Sequence, residues 1–461
     1  MTVEDATLLA LENNWGFRVE RLAPSIQRTY EQEERAAFDP VLRADGQWSR
    51  ERDKPDSVSK GIDVSLGVSE FLPTGTDLDL SAEMEQTQKT VVTNPDEKYT
   101  TNLNLTVTQA LLRGMGLDVN LANLRQARID TRVSEYQLRG LAQSLLAEVE
   151  NAYWDYTLAR EEVNIFETSL ELGERLTAET AERIRVGQVA KCEIFSAEAE
   201  AATRRQELIN ARSARDNARL RLLRLLNPPG NDLWNSKIVL LSPPEIPESN
   251  LEDMQNHIKV ALRMRPDLNQ ARLAVQRGEL EVVKTKNGLL PQLDLFVTLG
   301  RTGYAASFEG SLTDIRKGEG GLDVFAGLRF EFPAGMRTPK AQYKRSTLDL
   351  EQDEEALSNL KQLVEQDVLS AYIEINRSSE QIVASRATRK FQGEKLQAEI
   401  DKYRLGKSTM FRVAQAQRDL VESQISAVRS NTDHIKSLTQ FYFVEGSLLV
   451  RRGISAPGRE P

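Results

Sequence analysis

The sequence has little of what enzymes and metal proteins commonly use. Its 461 residues include one cysteine, Cys192, and two histidines, His257 and His434. A single cysteine excludes an intramolecular disulfide and a cysteine-rich zinc site. Two histidines leave few arrangements for a metal centre or a nucleophilic triad. The sequence has no glycine-rich loop of phosphate-binding form, and its carboxylates are scattered. We therefore expect neither an enzyme nor a bound cofactor or metal.

A long apolar run and a basic patch are also lacking. No stretch of about eighteen apolar residues is present, so no transmembrane helix is expected. The net charge is −9, from 60 basic and 69 acidic residues, and nucleic acid is not an expected partner. At 40% hydrophobic and 28% charged residues, the chain can form a substantial core.

Proline is absent from residues 119–187, and an apolar residue recurs there every three or four positions. This spacing places the apolar side chains on one face of a helix that winds around a partner. At ~1.5 Å per residue the helix would be roughly 100 Å long, which exceeds the size of a compact domain. The apolar positions are Leu138, Leu141, Leu145, Val149, Ala152, Tyr156, Ala159, Val163, Phe166 and Leu170.

Other segments alternate with a period of two, which is typical of strands with unlike faces. In 102–110, Leu103, Leu105 and Val107 lie on one face and polar residues on the other. Similar alternation predicts strands within 41–48, 293–299 and 320–332. Two weaker segments lie within 62–82, and the sequence leaves open whether they add strands to the sheet or form an external hairpin.

The second half of the chain repeats the first. Gly187 is matched by Gly406, 219 positions later, and other helical positions keep this offset. Near the start of each half, Pro40 is matched by Pro291, 251 positions later. Two offsets that each stay constant indicate a tandem duplication.

The duplication divides the chain into two repeats. The first covers 1–227, with a helix at 2–38, strands within 39–112, a long helix at 119–187 and a return helix at 192–226. A proline-rich connector covers 228–250. The second repeat covers 251–452, with a helix at 251–287, strands within 291–332, a long helix at 336–405 and a return helix at 411–450, and a tail follows at 453–461.

Four strands cannot close around a lumen alone, because their edges would stay unpaired. In a membrane only a closed barrel satisfies the backbone of strands, and three copies would supply twelve strands. The predicted fold is mostly α with β: long antiparallel coiled-coil helices, and four strands that each protomer gives to a barrel shared with other copies of the chain. The alternative is a soluble coiled-coil scaffold or rod, in which the strands would have no use.

This pattern resembles the outer membrane efflux protein family, to which TolC belongs, over nearly all of residues 2–452. The most specific segments are RIRVG at 183–187, YRLG at 403–406, TQALL at 108–112 and LLPQL at 289–293. The resemblance implies a homotrimer in the outer-membrane lipid of a Gram-negative-type bacterium. In that trimer the strands form a trimeric transmembrane β-barrel, and the long helices form an α-barrel that extends into the periplasm. It also implies a periplasmic adaptor (membrane fusion) protein and an inner-membrane transporter as partners. The implied function is a passive conduit of a tripartite efflux or type I secretion system, which exports small molecules or proteins.

The resemblance also implies which residues form the periplasmic mouth. The turns at Gly187 and Gly406 would be the tips that contact the adaptor, although glycine is also an ordinary helix terminator. The family often narrows this mouth with aspartates, and here the sequence departs from that pattern. The candidate aperture residues are Glu193, Arg412 and Gln415, and we expect Arg412 to pair with Glu193 across helices.

The first residues after Met1 do not form a signal peptide, since 2–13 are acidic and helical in pattern. We expect Met1 to be a start added to a mature chain from which such a peptide is absent; a cytosolic protein, the alternative, would begin in the same way.

Overall fold

The computed structural model describes residues 1–54, 57–91, 94–229, 233–235, 238–242, 253–318 and 320–455. Parts of the predicted connector at 228–250 and of the tail at 453–461 lie outside the described residues. The chain forms two compact units. One comprises Met1–Pro24, Ser134–Gln270 and Leu357–Pro461, and the other Ser25–Val133 and Ala271–Ala356.

Helices form most of the described chain. In order they are α1 (Val3–Asn13), α2 (Trp15–Glu20), α3 (Ala23–Ala36), α4 (Leu117–Asn120), α5 (Ala122–Arg185), α6 (Glu193–Leu226), α7 (Met254–Met264), α8 (Pro266–Asn287), α9 (Phe308–Lys317), α10 (Arg337–Arg404), α11 (Met410–Glu445) and α12 (Leu448–Arg451). Helices α5 and α10 contain 64 and 68 residues, so each is about 100 Å long. Within the described residues, no helix is both long and apolar enough to cross a bilayer.

Three predicted helices are shorter or more broken than expected. The helix expected over 2–38 is divided into α1, α2 and α3, because Asn14 takes an extended conformation and caps a new helix by accepting a hydrogen bond from the N–H of Phe17. The helix expected over 251–287 starts at Met254 among the described residues and is interrupted at Arg265, because Pro266 opens a new helix. The return helix expected over 411–450 ends at Glu445. There Gly446 takes a left-handed conformation with φ of 76°, and its N–H donates to the carbonyl of Phe443. Such a glycine ends a helix regardless of the apolar residues beyond it.

The core of the first unit is made by the long helices and the shorter ones beside them. Tyr153 of α5 is fully buried, and its hydroxyl donates to the carbonyl of Met1 at 3.2 Å. A second cluster joins α7, α10 and α11 through Ala261, Val364 and Phe441. A third cluster buries Leu176, Ala197, Leu396, Ile400, Tyr403, Met410, Val413 and Ala416. Of the ten residues of the apolar seam predicted from the sequence, seven are buried on α5, Phe166 and Leu170 are half-buried, and Leu141 is exposed.

The second unit contains one antiparallel sheet of six strands in chain order. The strands are β1 (Val41–Lys54), β2 (Ser57–Leu72), β3 (Thr76–Val91), β4 (Asn94–Ala110), β5 (Gln292–Ala305) and β6 (Gly321–Glu331). The four predicted strands lie in β1, β4, β5 and β6. The segment 62–82 forms β2 and β3 within the same sheet, so the described protomer contributes six strands rather than four.

Helix α9, between β5 and β6, was not expected from the sequence. Its N-cap Ser307 accepts a hydrogen bond from the N–H of Gly310, and Gly318 ends it with φ of 74°. Thr101 of β4 and Ser311 of α9 are both buried, and their hydroxyls lie 2.8 Å apart. The helix therefore covers one end of the sheet.

Candidate channel wall and helical tips

The sheet has one apolar and one polar face, and its register aligns them across all six strands. One row of aligned residues runs through Leu42, Val68, Leu80, Leu105, Leu299 and Val324. A one-residue shift in any strand would move its apolar side chains to the other face. Strands of 11 to 17 residues are long enough to cross a bilayer when tilted. The sheet therefore has the pattern of a lipid-facing wall with a wet interior.

The polar face carries more carboxylates than basic groups among its described side chains. The carboxylates are those of Asp45, Glu51, Asp63, Asp77, Asp79, Glu83, Glu85, Asp294, Asp323 and Glu331. The basic residues on this face are Arg43, Lys98 and Arg329. A lumen lined by this face would have a negative potential.

The two long helices end in similar turns. Gly187 follows α5 with φ of 78°, and Gly406 follows α10 with φ of 71°. No atom lies within 4 Å of the place where a Cβ would stand on either glycine, so the positive φ rather than crowding selects glycine. Both turns belong to the same compact unit.

Arg183 fastens the end of α5 to the end of α10. Its guanidinium donates to the carbonyls of Tyr403 at 3.1 Å and Arg404 at 2.8 Å, two of the last carbonyls of α10. The same group lies 5.0 Å from the centre of the Tyr403 ring. A cation at a helix C-terminus satisfies carbonyls that lack a partner within the helix.

Glu193 occupies a different role from the one expected. Its carboxylate accepts a hydrogen bond from the backbone N–H of Met410 at 2.7 Å, at the start of α11. Arg412 contributes instead to lowering the pKa of the Glu399 carboxyl, after the larger effects of hydrogen bonds from Lys402 and Ser408. Within one protomer, the described ion pairs do not include Arg412 with Glu193. The expected pairing therefore remains a prediction for contacts between copies.

Gln415 is one turn further along α11. Its amide donates to Asp419 at 2.9 Å, and the same carboxylate accepts from Lys395 of α10 at 2.6 Å. These contacts lower the pKa of Asp419, with the hydrogen bond from Lys395 as the largest cause. The three candidate aperture residues therefore lie on the return helices close to the turns, and Glu193 and Gln415 have hydrogen-bond partners within the protomer.

The structure adds two residues that the sequence analysis did not single out. Val186 and Leu405 immediately precede the two turn glycines, and they are 53% and 72% exposed. They are also 219 positions apart, like Gly187 and Gly406. This shared offset in the sequence could have identified them as equivalent tip residues. Both tips therefore present a large apolar side chain to their surroundings.

Several solved structures share this fold, including those of three outer membrane proteins. The outer membrane protein VceC of Vibrio cholerae is 13% identical over 96% of each chain, with a TM-score of 0.71. The open state of the MtrE outer membrane channel of Neisseria gonorrhoeae is 19% identical over 97% of this chain and 89% of that one, with a TM-score of 0.68. The CmeC outer membrane channel of Campylobacter jejuni is 13% identical over 97% and 86%, also at 0.68.

Comparison by sequence gives two results. None of the curated proteins compared with the chain matches it significantly. The profile of the outer membrane efflux protein family matches residues 63–228 and 257–447, one segment in each repeat. The match covers more than half of the chain and confirms the resemblance inferred from the sequence. The chain therefore belongs to the outer membrane efflux protein family and is a transport channel of the outer membrane that extends into the periplasm.

Proposed function

We propose that three copies of the chain form a passive export conduit of a tripartite efflux or type I secretion system. The observation that carries this proposal is the six-stranded sheet, which has unlike faces and two edge strands, β1 and β6. Edge strands in lipid must find partners, and further copies of the chain supply them. In a closed ring the apolar face would contact outer-membrane lipid and the polar face would line the lumen.

The helical tips are the proposed contact with a periplasmic adaptor protein, which joins the channel to an inner-membrane transporter. The tight turns at Gly187 and Gly406 support this assignment, together with the exposed Val186 and Leu405. These two apolar side chains would be removed from water if the adaptor covered the tips. Each repeat thus supplies one docking tip.

The two repeats, 1–227 and 251–452, are the proposed halves of each protomer's share of the wall, with the connector 228–250 between them. In this arrangement the channel supplies only a path. The inner-membrane transporter supplies the energy and selects the cargo, whether small molecules or proteins. Engagement of the tips would move pairs of helices outward and open the mouth.

The proposed aperture is lined by Glu193, Arg412 and Gln415. Since Glu193 is bonded to Met410 inside one protomer, a bond from Arg412 would reach it from a neighbouring copy. Replacing both Glu193 and Arg412 with alanine should raise the ion conductance in planar bilayers. Unchanged conductance would dismiss this gate.

The central experiment measures the mass and shape of the protein in detergent. Light scattering should give about 156 kDa of protein, three times the 51.9 kDa of the chain. Negative-stain images should show a long tube with threefold symmetry. A rod that is soluble without detergent would overturn the proposal. For the tips, the pair Val186→Asp and Leu405→Asp should abolish capture of a purified adaptor, whereas Val383→Asp, an exposed change within α10, should not.

A further inference from the structure

The first repeat is longer than the second by the length of one hairpin. Pro40 and Pro291 are 251 positions apart, whereas Tyr153 and Tyr372 are 219 apart, so the first repeat has 32 more residues between these points. Strands β2 and β3 contain 16 residues each. The surplus therefore matches two additional strands.

These two strands are internal members of the sheet. β2 pairs with β1 from Ser57 to Ser69, and β3 pairs with β4 along its whole length, from Thr76 to Val91. In both strands the apolar side chains lie on the same face as those of β4, β5 and β6. Val68 and Leu80 continue the apolar row to Leu105. A hairpin outside the wall would not require its apolar side chains to align with those of β4.

The turn between β2 and β3 is fixed to the segment that leads into the long helix. The carbonyl of Gly75 accepts from the N–H of Ala110 at 2.9 Å, and the Asn120 amide donates to the carbonyl of Pro73 at 3.1 Å. Gly75 has φ of 87°, and a Cβ there would overlap the carbonyl of Gly114. The hairpin is therefore held at its turn and continues the sheet.

The free edges of the described sheet are β1 and β6. On the apolar face, Trp48 of β1 and Leu322 of β6 are 65% and 67% exposed, whereas Val64 of β2 and Leu105 of β4 are 40% and 39% exposed. Six successive antiparallel strands leave β1 and β6 running in opposite directions. β6 of one copy can therefore form an antiparallel pair with β1 of the next.

We propose that all six strands of each protomer enter the wall, so that the trimer closes a barrel of eighteen strands through β6 to β1 pairs. This inference rests on the trimeric channel proposed above. The diameter of a barrel grows roughly in proportion to its strand number, so eighteen strands give a lumen about 1.5 times as wide as twelve. The occupant of each free edge is a second copy of this chain, and the occupant of the apolar face is lipid.

The test uses cysteine accessibility in the trimer reconstituted in phosphatidylcholine liposomes. Cys192→Ser first removes the single cysteine, which is exposed. Neighbouring positions are then changed in pairs: Val64→Cys with Ser65→Cys in β2, and Leu80→Cys with Ser81→Cys in β3. A sulfonated, water-soluble maleimide should label the two serine positions at least tenfold faster than the two apolar positions, because only the former face the lumen. Equal labelling within both pairs would overturn the inference.

A matched pair in β4 separates this inference from the channel itself. Asn104→Cys and Leu105→Cys lie in a strand that both a twelve-stranded and an eighteen-stranded wall require. If this pair alternates and those of β2 and β3 do not, the trimeric channel stands and the eighteen-stranded wall fails. If the β4 pair also labels equally, the channel proposal fails with it. Electron cryomicroscopy of the trimer in nanodiscs counts the strands directly, and twelve would contradict the inference.

Discussion

The carboxylate of Glu193, the first residue of α6, accepts a 2.7 Å hydrogen bond from the backbone N–H of Met410, the first residue of α11. Thr409, the N-cap of α11, makes no side-chain capping bond. Glu193 therefore supplies the acceptor that this helix start otherwise lacks, and its negative charge suits the helix N-terminus. The two return helices, one from each repeat, begin joined at the tip.

Removing this acceptor should loosen the first turn of α11. Loss of a helix cap costs about 1 kcal/mol, which corresponds to roughly fivefold faster opening. We expect amide exchange at Met410 and the following turn to accelerate by about this factor in Glu193→Ala, and less in Glu193→Gln, which keeps an acceptor. Hydrogen exchange with mass spectrometry measures it. Glu198→Ala, an exposed change on the same helix, is the control; an equal effect there would contradict the capping role.

The bond between Arg183 and the end of α10 predicts a leaky channel when it is lost. A hydrogen bond from a charged donor contributes about 1.5 kcal/mol or more, so its removal should raise the open probability roughly tenfold. Planar-bilayer recordings of Arg183→Ala should show this increase. Arg183→Lys should be intermediate, because a lysine keeps the charge but cannot reach both carbonyls as a fork.

Arg185→Ala is the matched control for that measurement. Arg185 lies two residues further along the same helix, and its guanidinium bonds Glu182 within α5 at 2.8 Å. Its removal leaves the contact between α5 and α10 untouched. If Arg185→Ala and Arg183→Ala raise the current equally, the charge at the tip matters and the bond to α10 does not.

The long helices could be predicted from the sequence because an apolar period persists through α5 without a proline. The end of α11 could not, since Leu448, Leu449 and Val450 continue the apolar pattern beyond Gly446. The helix ends there because Gly446 has a positive φ and lies against the backbone of Arg265. Neither feature can be read from the spacing of apolar residues.

The sequence also did not decide whether β2 and β3 belong to the sheet. Alternation looks the same in a wall strand and in an external hairpin, and only pairing with distant strands distinguishes them. The role of Glu193 was missed for a similar reason. Charge patterns suggest a basic side chain as its partner, whereas the actual donor is a backbone N–H 217 positions away.

A single methyl group added at Gly446 should strongly destabilise the folded protein. A Cβ at this position would stand 2.9 Å from the backbone nitrogen of Arg265 and 3.0 Å from its Cα, and φ is already 76°. Gly446→Ala therefore combines backbone strain with a clash against the corner between α7 and α8, and we expect a cost of about 3 kcal/mol or more. Gly453→Ala has φ of 68° in open space and should cost only the strain, about 1 kcal/mol. Thermal unfolding of the detergent-solubilised trimer compares the two, and equal shifts would contradict the clash.

The hydrogen bonds of Glu399 predict that the folded tip becomes less stable at low pH. Hydrogen bonds from Lys402 at 2.6 Å and Ser408 at 2.8 Å lower the pKa of this carboxyl, with that of Lys402 as the larger cause. A lowered pKa stabilises the folded tip above the ordinary value of about 4.3 and loses this effect as the pH falls below it. Conductance should therefore stay constant from pH 7 to 5 and rise only as the pH falls below about 4.3.

Glu399→Gln tests this assignment. The variant lacks the titrating group, so its conductance should already be raised at pH 7 and should lose this acid-dependent step. Glu394→Gln, at an exposed position on the same helix, should behave like the unchanged protein. A full acid response in Glu399→Gln would assign it to another group.

The carboxylates of the polar face predict a preference for cations. On β3, Asp79, Glu83 and Glu85 share this face, and a negative lumen raises the local concentration of cations. In a KCl gradient the reversal potential should indicate a cation-selective channel. The triple variant with Asp79→Asn, Glu83→Gln and Glu85→Gln should have a ratio of K⁺ to Cl⁻ permeability that is lower by about twofold or more.

The position of the narrowest point decides how this experiment is designed. In the unchanged protein a closed tip could set the selectivity, so the comparison is made in the Arg183→Ala background, in which we expect the tip to open. Asp118→Asn is the control, because this exposed carboxylate pairs with Arg125 outside the strands. A lower ratio in the triple variant alone would show that β3 lines the conducting path, since charges on an external hairpin would be screened by salt within about 10 Å. An unchanged ratio would place the selectivity outside β3.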